Sequence, residues 1–487
     1  MVTFNEVPAT IRVPGIYVEV GASTDQAVTG DQPYRIGIIG QMLPGGTAIE
    51  NEPIRITRAA DALVLFGAGS MLAQAAAAAL ANVSFVDLWA IPMVDPDGGS
   101  AATGSIAVSA VDARAGTIAV YAVGERIPVA ISAGLTAAEI AERIAEGING
   151  SPTAGVTASA DAGTVTVTAV HLGNIGNELG LALASGEGET LPTGVTATVT
   201  AMSGGAGEPD ITSALAALGD AHYNIVVAPY QEPAILTEVV TEMEDRASAT
   251  RQLGGVAFTA STGNLAALTT LGLTQNSERM VIVGASGSPS APWQWASAVA
   301  GHVANDAPGD PARPYTGVGL QGVRSGASNN RLIATERNIL LMNGIATVGA
   351  SNTGAPQVER LITTYRTNDL GGIDLTFLDL TSILTLERLR FDLRATLTAK
   401  FGRFKVGDDG EAFAPGTDVI TPNGMRAEVI ALYAGWVEQG WVEGSDDFAA
   451  SLIVERDPND PTRINISTQP NVANALRVVG ALVSLVL

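Results

Sequence analysis

"NIVVAPYQEPAILTEVVTEMEDRASATRQLGGVAFTAS", residues 224 to 261, decides the fold. It opens on an apolar run (224 to 230), passes through a helical stretch over 232 to 248, and closes on a second apolar run, "GGVAFTAS" (254 to 261). Neither run alternates with polar residues, so each is expected to be a strand buried on both faces. Such strands alternating with helices make a mainly parallel sheet, covered on both sides. Downstream the rhythm continues through a helix, "RMVIVGAS" (279 to 286) and a helix from Pro292. Upstream it includes "YRIGIIGQM" (34 to 42), a helical stretch over 57 to 82, and "SFVDLWAIPM" (84 to 93).

The two halves of this rhythm are separated by a different texture. Residues 95 to 206 open with "DPDGGSAATG" and close near "MSGGAGEPD", and they contain "GTVTVTAV" (163 to 170) and "VTATVTAM" (195 to 202). Alternating Val and Thr predict antiparallel strands solvated on one side. One helix interrupts them: Thr136 and Glu139 have capping-box spacing, Ile140, Ile144 and Ile148 share a face, and Asn149-Gly150 ends it. The expected organisation is therefore an arm and linker (1–33), an α/β unit (34–94 and 207–370), an inserted β-rich unit (95–206) that protrudes, and an α+β carboxy-terminal unit (371–487).

In that last unit, "TSILTLERLRFDLRATLTAKF" (381 to 401) puts Leu386, Leu389, Leu393 and Leu397 on one helical stripe. The same segment is unusually basic. Arg388, Arg390, Arg394, Lys400, Arg403 and Lys405 lie within eighteen positions, where an even spread of the chain's 26 basic residues gives about one. Two readings stay open: a solvated face paired with Glu387 and Asp392, or a ridge that docks on an acidic protein surface.

Both ends of the chain look like strands. "IRVPGIYVEV" (11 to 20) alternates, with Ile16, Val18 and Val20 on one side and Tyr17 and Glu19 on the other, ahead of a polar linker over 21 to 33. Residues 475 to 487, "ALRVVGALVSLVL", are apolar on both faces.

Composition narrows the function. A net charge of -23 repels phosphate backbones and anionic lipid headgroups. No nucleic-acid partner and no membrane insertion are therefore expected. With 46 % apolar and only 15 % charged residues, the chain favours large protein contacts over a lone monomer. The absence of cysteine removes disulfides, thiolate metal sites and cysteine nucleophiles. No signal peptide is expected from "MVTFNEVPAT", and the apolar runs at 71 to 81 and 478 to 487 are too short to span a membrane.

Motifs for chemistry are weak. Neither lysine sits in a phosphate loop, and "GAGSML" (67 to 72) lacks the third glycine of a dinucleotide fingerprint. In "GASGSPS" (284 to 290) the nucleophile-elbow spacing fails at Ser288, so a strand-to-helix turn is expected. His171, His222 and His302 are far apart in sequence and are expected to be structural. No catalytic residue, cofactor site or metal site is expected, and a cryptic hydrolase on the α/β unit is a distant alternative.

"LTLERLRFDLRATLTAKFGRFKVGDDG" (384 to 410) and "DPTRINISTQPNVANALRVVGALVSLVL" (460 to 487) resemble the tail sheath proteins of contractile-tailed bacteriophages, especially the Mu-like group. "VPGIYVEV" near the amino terminus is similar to that family's opening motif. The resemblance implies a subtilisin-like α/β domain, a name for shape and not for protease activity. It also implies stacked hexameric rings around a tail tube, and contraction that drives the tube through the host envelope for genome ejection. Tube, baseplate and tail terminator proteins are the implied partners, and the virion, assembled in the host cytoplasm, is the implied location. An R-type pyocin or another contractile injection particle is the alternative. Exchanged strands would involve Ile16, Tyr17, Val18, Val20, Leu476, Val478, Val479, Leu482, Val483 and Leu485. Arg388, Arg390, Arg394 and Lys400 would face the tube.

Overall fold

The computed structural model describes residues 34–84, 87–414 and 416–484, together with Gly15 and Val18. The expected strand residues Ile16, Tyr17, Val20 and Leu485 lie outside the described residues. The fold is mixed α/β with several sheets. It begins with β1 (Arg35–Gln41), β2 (Ile54–Ile56), α1 (Ala59–Phe66), α2 (Met71–Leu80) and β3 (Asp87–Met93). The single helical stretch expected over 57 to 82 is two helices, because Gly67 and Gly69 take positive φ between them. Ser70 then caps α2 by accepting the Ala73 N–H at 3.1 Å.

The chain next leaves the central sheet through β4 (Ala101–Ala110), β5 (Gly116–Ala122), β6 (Glu125–Ile131), α3 (Ala137–Asn149), β7 (Val156–Asp161), β8 (Thr164–Leu172), β9 (Leu181–Leu183) and β10 (Val195–Ser203). These strands form two antiparallel sheets, in the orders β10-β4-β8-β7 and β6-β5-β9. On α3 the Thr136–Glu139 capping box forms, and Ile140, Ile144 and Ile148 are fully buried. The apolar side of this region merges with the main core of the molecule in one continuous cluster.

The chain returns through α4 (Thr212–Ala217), β11 (Ile225–Val227), α5 (Pro233–Ala247), β12 (Val256–Ser261), α6 (Leu265–Gly272), β13 (Met280–Gly284), α7 (Pro292–Asp306), α8 (Ala334–Met342), β14 (Ile345–Ala350) and β15 (Pro356–Arg360). The central sheet has the order β15-β14-β13-β12-β11-β1-β3-β2. Its inner neighbours pair in parallel, and only the outermost pairs β14–β15 and β2–β3 are antiparallel. Its middle strands β11, β12 and β13 are buried along their whole lengths, as continuous apolar runs require. The alanine-rich α2 lies against α7. A Cβ on Gly301 would stand 2.7 Å from the Ala79 carbonyl, so small residues on both helices permit this close approach.

The carboxy-terminal region comprises α9 (Leu380–Phe401), β16 (Lys405–Val406), β17 (Val419–Ile420), α10 (Pro422–Glu438), α11 (Ser445–Ser451), β18 (Ile453–Arg456) and β19 (Ile464–Ser467). The first turns of α9 bury Leu380, Ile383 and Leu384 in the main core. Leu386, Leu389 and Leu393 pack with Leu432, Trp436 and Trp441, and Leu397 is also buried. The leucine stripe thus joins α9 to α10. No helix among the described residues is long and apolar enough to cross a membrane.

Candidate assembly interface

The arginines of α9 do not form the outward ridge that their spacing implied. Arg388 and Arg390 are buried. Arg388 pairs with Asp392 at 3.2 Å, donates to the Pro308 carbonyl, and lies over the Trp441 ring. Arg390 donates to the backbone carbonyls of Ala247 and Ser248, at the end of α5. The physical reason is local. Carbonyls at the end of α5 need donors, and a guanidinium fork supplies several from one side chain.

Around them lies a buried ionic network. Glu387 accepts from Arg279 and faces Arg390 at 3.9 Å. Burial pushes its carboxyl up, but Arg279 and Arg390 more than offset this and hold it below the usual range. Asp392, five residues on, also accepts from the Trp436 indole at 3.3 Å. Here burial wins over Arg388, and the carboxyl is pushed up to about 7. The basic groups that remain outside are farther along. Arg394 is half-buried and bonds Gln252 at 3.4 Å, Lys400 pairs with Glu428 on α10, and Arg403 and Lys405 are exposed.

The carboxy-terminal arm is the converse. Leu476, Val478 and Val479 are exposed, and Leu482 and Val483 are 93 % and 92 % exposed. Residues 473–484 form no strand within this chain. Two contacts tie the arm's base to the body. The Ala473 N–H donates to the Trp441 carbonyl at 2.9 Å. Arg477 reaches Asp379, the residue preceding α9, also at 2.9 Å. In the same region β18 and β19 pair only with each other, so each offers a second edge that no described strand occupies.

The histidines and short motifs serve the fold. His171 Nε2 accepts the Met71 N–H at the start of α2, so Nδ1 carries the proton and donates to Asp95 at 2.6 Å. Asp95 also accepts from Gln41 and from the Leu172 N–H, which ties the inserted sheets to β1 and α2. The aspartate-rich turn at 95 to 99 therefore does more than turn the chain, although its partner histidine is 76 residues away. His222 donates to the Gly254 carbonyl, and His302 lies beside Asp306. Ser288, in the 284 to 290 turn, accepts from the Trp295 indole and donates to the Arg324 carbonyl, both at 2.7 Å. Among the described residues, no three metal-ligating side chains converge.

Residues 204–364 match the phage tail sheath protein central domain, and residues 374–485 match the phage tail sheath C-terminal domain. The chain is 32 % identical, over the full length of both sequences, to a Mu-like prophage FluMu tail sheath protein of Haemophilus influenzae. Among solved structures it is similar to the helical sheath of the anti-feeding prophage in its contracted state. That match has 12 % identity over 98 % of this chain and 99 % of that one, with a TM-score of 0.51. It is also similar to a sheath tail protein of Desulfitobacterium hafniense, at 13 % identity over 93 % and 99 % of the two chains, with a TM-score of 0.47.

Proposed function

The chain belongs to the Mu-like phage tail sheath proteins, and from that premise we propose that it polymerises as stacked hexameric rings around a tail tube and works by repacking its own subunits. Its role is structural and non-enzymatic. The central α/β unit corresponds to the family's subtilisin-like domain, and contraction draws its energy from subunit contacts.

One observation carries the reading: the uncharged run Val478–Leu482 and Val483 is held out in solvent, on a chain whose β18–β19 pair gains no further strand from the described residues. Exposing so much contiguous apolar surface is costly for a monomer, and a two-stranded sheet is marginal alone. Strand addition between copies resolves both problems. In this account Leu476, Val478, Val479, Leu482, Val483 and Leu485 from one copy, and Ile16, Tyr17, Val18 and Val20 from another, extend a neighbour's sheet. The linker of residues 21–33 spans at most about 43 Å, enough to reach an adjacent copy.

For the tube contact, the burial of Arg388 and Arg390 moves the expected basic surface to Arg394 and Lys400, with Arg403 and Lys405 beyond them. Baseplate and tail terminator proteins would meet the two ends of the cylinder, in a virion tail assembled in the host cytoplasm. The experiment is negative-stain microscopy of concentrated protein. Rings or cylinders are expected, and a strictly monomeric sedimentation profile at high concentration contradicts the reading.

A further inference from the structure

A second pair of complementary features lies on the central sheet, away from the arms and α9. At the amino end of β13 a hairpin projects over residues 366–375. Its root is fixed: the Thr364 N–H donates to the Met280 carbonyl at 2.9 Å, and Asn276 donates to the Thr367 carbonyl at 2.8 Å. Its tip is also fixed, because Asn368 Oδ1 accepts from the N–H groups of Leu370 and Gly372, and Thr367 bridges to Ile373. On this rigid turn Leu370 is 95 % exposed and Ile373 is 87 % exposed, with the exposed Asp369 beside them. An exposed apolar knob whose backbone is already ordered loses little entropy on docking.

At the opposite end of the same strand lies a cavity of about 260 Å³. It opens at the carboxyl ends of β13 and β14, where open α/β sheets place their ligand crevices. Roughly 150 Å³ admits a benzene-sized group, so the volume accommodates a leucine side chain, in a lining that also carries Ser286, Ser288, Thr316, Ser325 and Gln357. Leu340, Val358 and Trp295 give it apolar walls. Thr347, only 1 % exposed, lines it with a hydroxyl that has no hydrogen-bond partner. Arg331 also lines it. Its Nε donates to the Gly326 carbonyl, and it makes no ion pair among the described residues. The other charges at the site are Arg337 and Glu359, which pair at 2.8 Å, and Glu187 of the inserted region, across Gly354 from Arg331.

We propose that the 366–375 hairpin of one copy seats Leu370 in this cavity of a second copy, with Asp369 meeting Arg331. The inference rests on the polymer reading above and adds a contact that the terminal arms do not make. Knob and hole lie at opposite ends of a five-residue strand, at least about 13 Å apart, so a chain does not fill its own cavity. Used in one direction only, from each copy to the next, the contact is head-to-tail, the kind that propagates into open helical assemblies. The charges at the cavity sum to zero, two arginines against two glutamates, and Arg331, which makes no ion pair among the described residues, is the group that another copy's Asp369 meets.

The absence of cysteine makes the test clean. Gly349 lines the cavity, and a Cβ there meets nothing within 4 Å, so Gly349→Cys and Leu370→Cys are both tolerated by the fold. After mild oxidation the double variant should give a ladder of disulfide-linked multimers at least ~10-fold above either single variant, as expected for sites held adjacent. Leu370→Asp should raise the concentration needed for cylinders about tenfold or more, while circular dichroism of the unassembled chain is unchanged. Leu370→Met should assemble normally. Cylinders that form without the ladder, and that Leu370→Asp leaves unaffected, overturn this contact alone. If the protein forms neither cylinders nor cross-linked multimers when concentrated, both this contact and the polymer reading fail.

Discussion

Helix α9 and the carboxy-terminal arm invert the usual distribution of residues, in opposite directions. On α9, Glu387, Arg388, Arg390 and Asp392 are buried, although charged residues are almost never fully buried unless paired. In the arm, Leu482 and Val483 stand in solvent, although residues of that kind are the usual contents of a core. Each inversion has a cost, and the ways the two costs are met differ. The ion pairs of α9 find their partners within the chain: Arg279 before β13, the carbonyls at the end of α5, and Trp441 beyond α10. They tie the carboxy-terminal region to the central sheet as one unit. Leu482 and Val483 find no such partners among the described residues, and in the proposed assembly another copy supplies them. The proposed contraction uses both properties, a body that moves rigidly and ends that stay attached to neighbours while it moves.

The largest effect expected from breaking this contrast is on the arm. Replacing Leu482 and Val483 together by Asp should abolish cylinders in electron micrographs, because two charges cannot enter a sheet buried on both faces. The same variant should leave thermal unfolding of the unassembled chain unchanged, since both side chains are already exposed.

Next in size is α9. Glu387→Ala leaves Arg279 and Arg390 without their buried carboxylate and should destabilise the chain by about 3–5 kcal/mol in denaturant titrations.

A smaller effect, with a defined sign, concerns pH. Asp392 is pushed up to about 7 in the folded chain and falls to the ordinary aspartate value, about 4, on unfolding. The folded state therefore holds the extra proton between these values. Its contribution to stability is complete below about pH 4 and is lost as the pH rises through about 7. Glu208, also pushed up to about 7 by burial and then by Glu232, acts in the same direction. Asp392→Asn should flatten the fall in melting temperature between about pH 4 and 7, and Glu208→Gln should remove a separate share.

The smallest effect is at the exposed end of α9. Lys400→Gln should cost under about 1 kcal/mol of stability despite the close pair with Glu428, because the lysine is half in solvent. It should weaken binding to a tail tube more at low ionic strength than at high, and no salt dependence would argue against basic contacts there.

How much of this was legible in the sequence follows from where each signal resides. The strands at 225–227, 256–261 and 280–284 were visible because burial on two faces writes itself as unbroken Val, Ile and Ala. β15, "PQVER", carries no such run, since it is an outer strand with one buried residue, and it was not anticipated. β14 and α8 were missed with it. The leucine stripe located α9 to within a residue. The burial of its arginines was not legible, because the accepting carbonyls at Ala247 and Ser248 lie more than 140 positions away and carry no side-chain signal. The Asp95–His171 contact was hidden because its two side chains are 76 positions apart. The apolar arm was conspicuous as sequence, and its exposure in the single chain gives that pattern its meaning.

The central claim, that the chain is built to be completed by its own copies, is tested most directly by imaging the full chain and a chain lacking residues 1–20 side by side at equal concentration. The account predicts cylinders from the full chain. It predicts discrete particles with an intact melting transition from the shortened one. Cylinders of the same kind from both would contradict it.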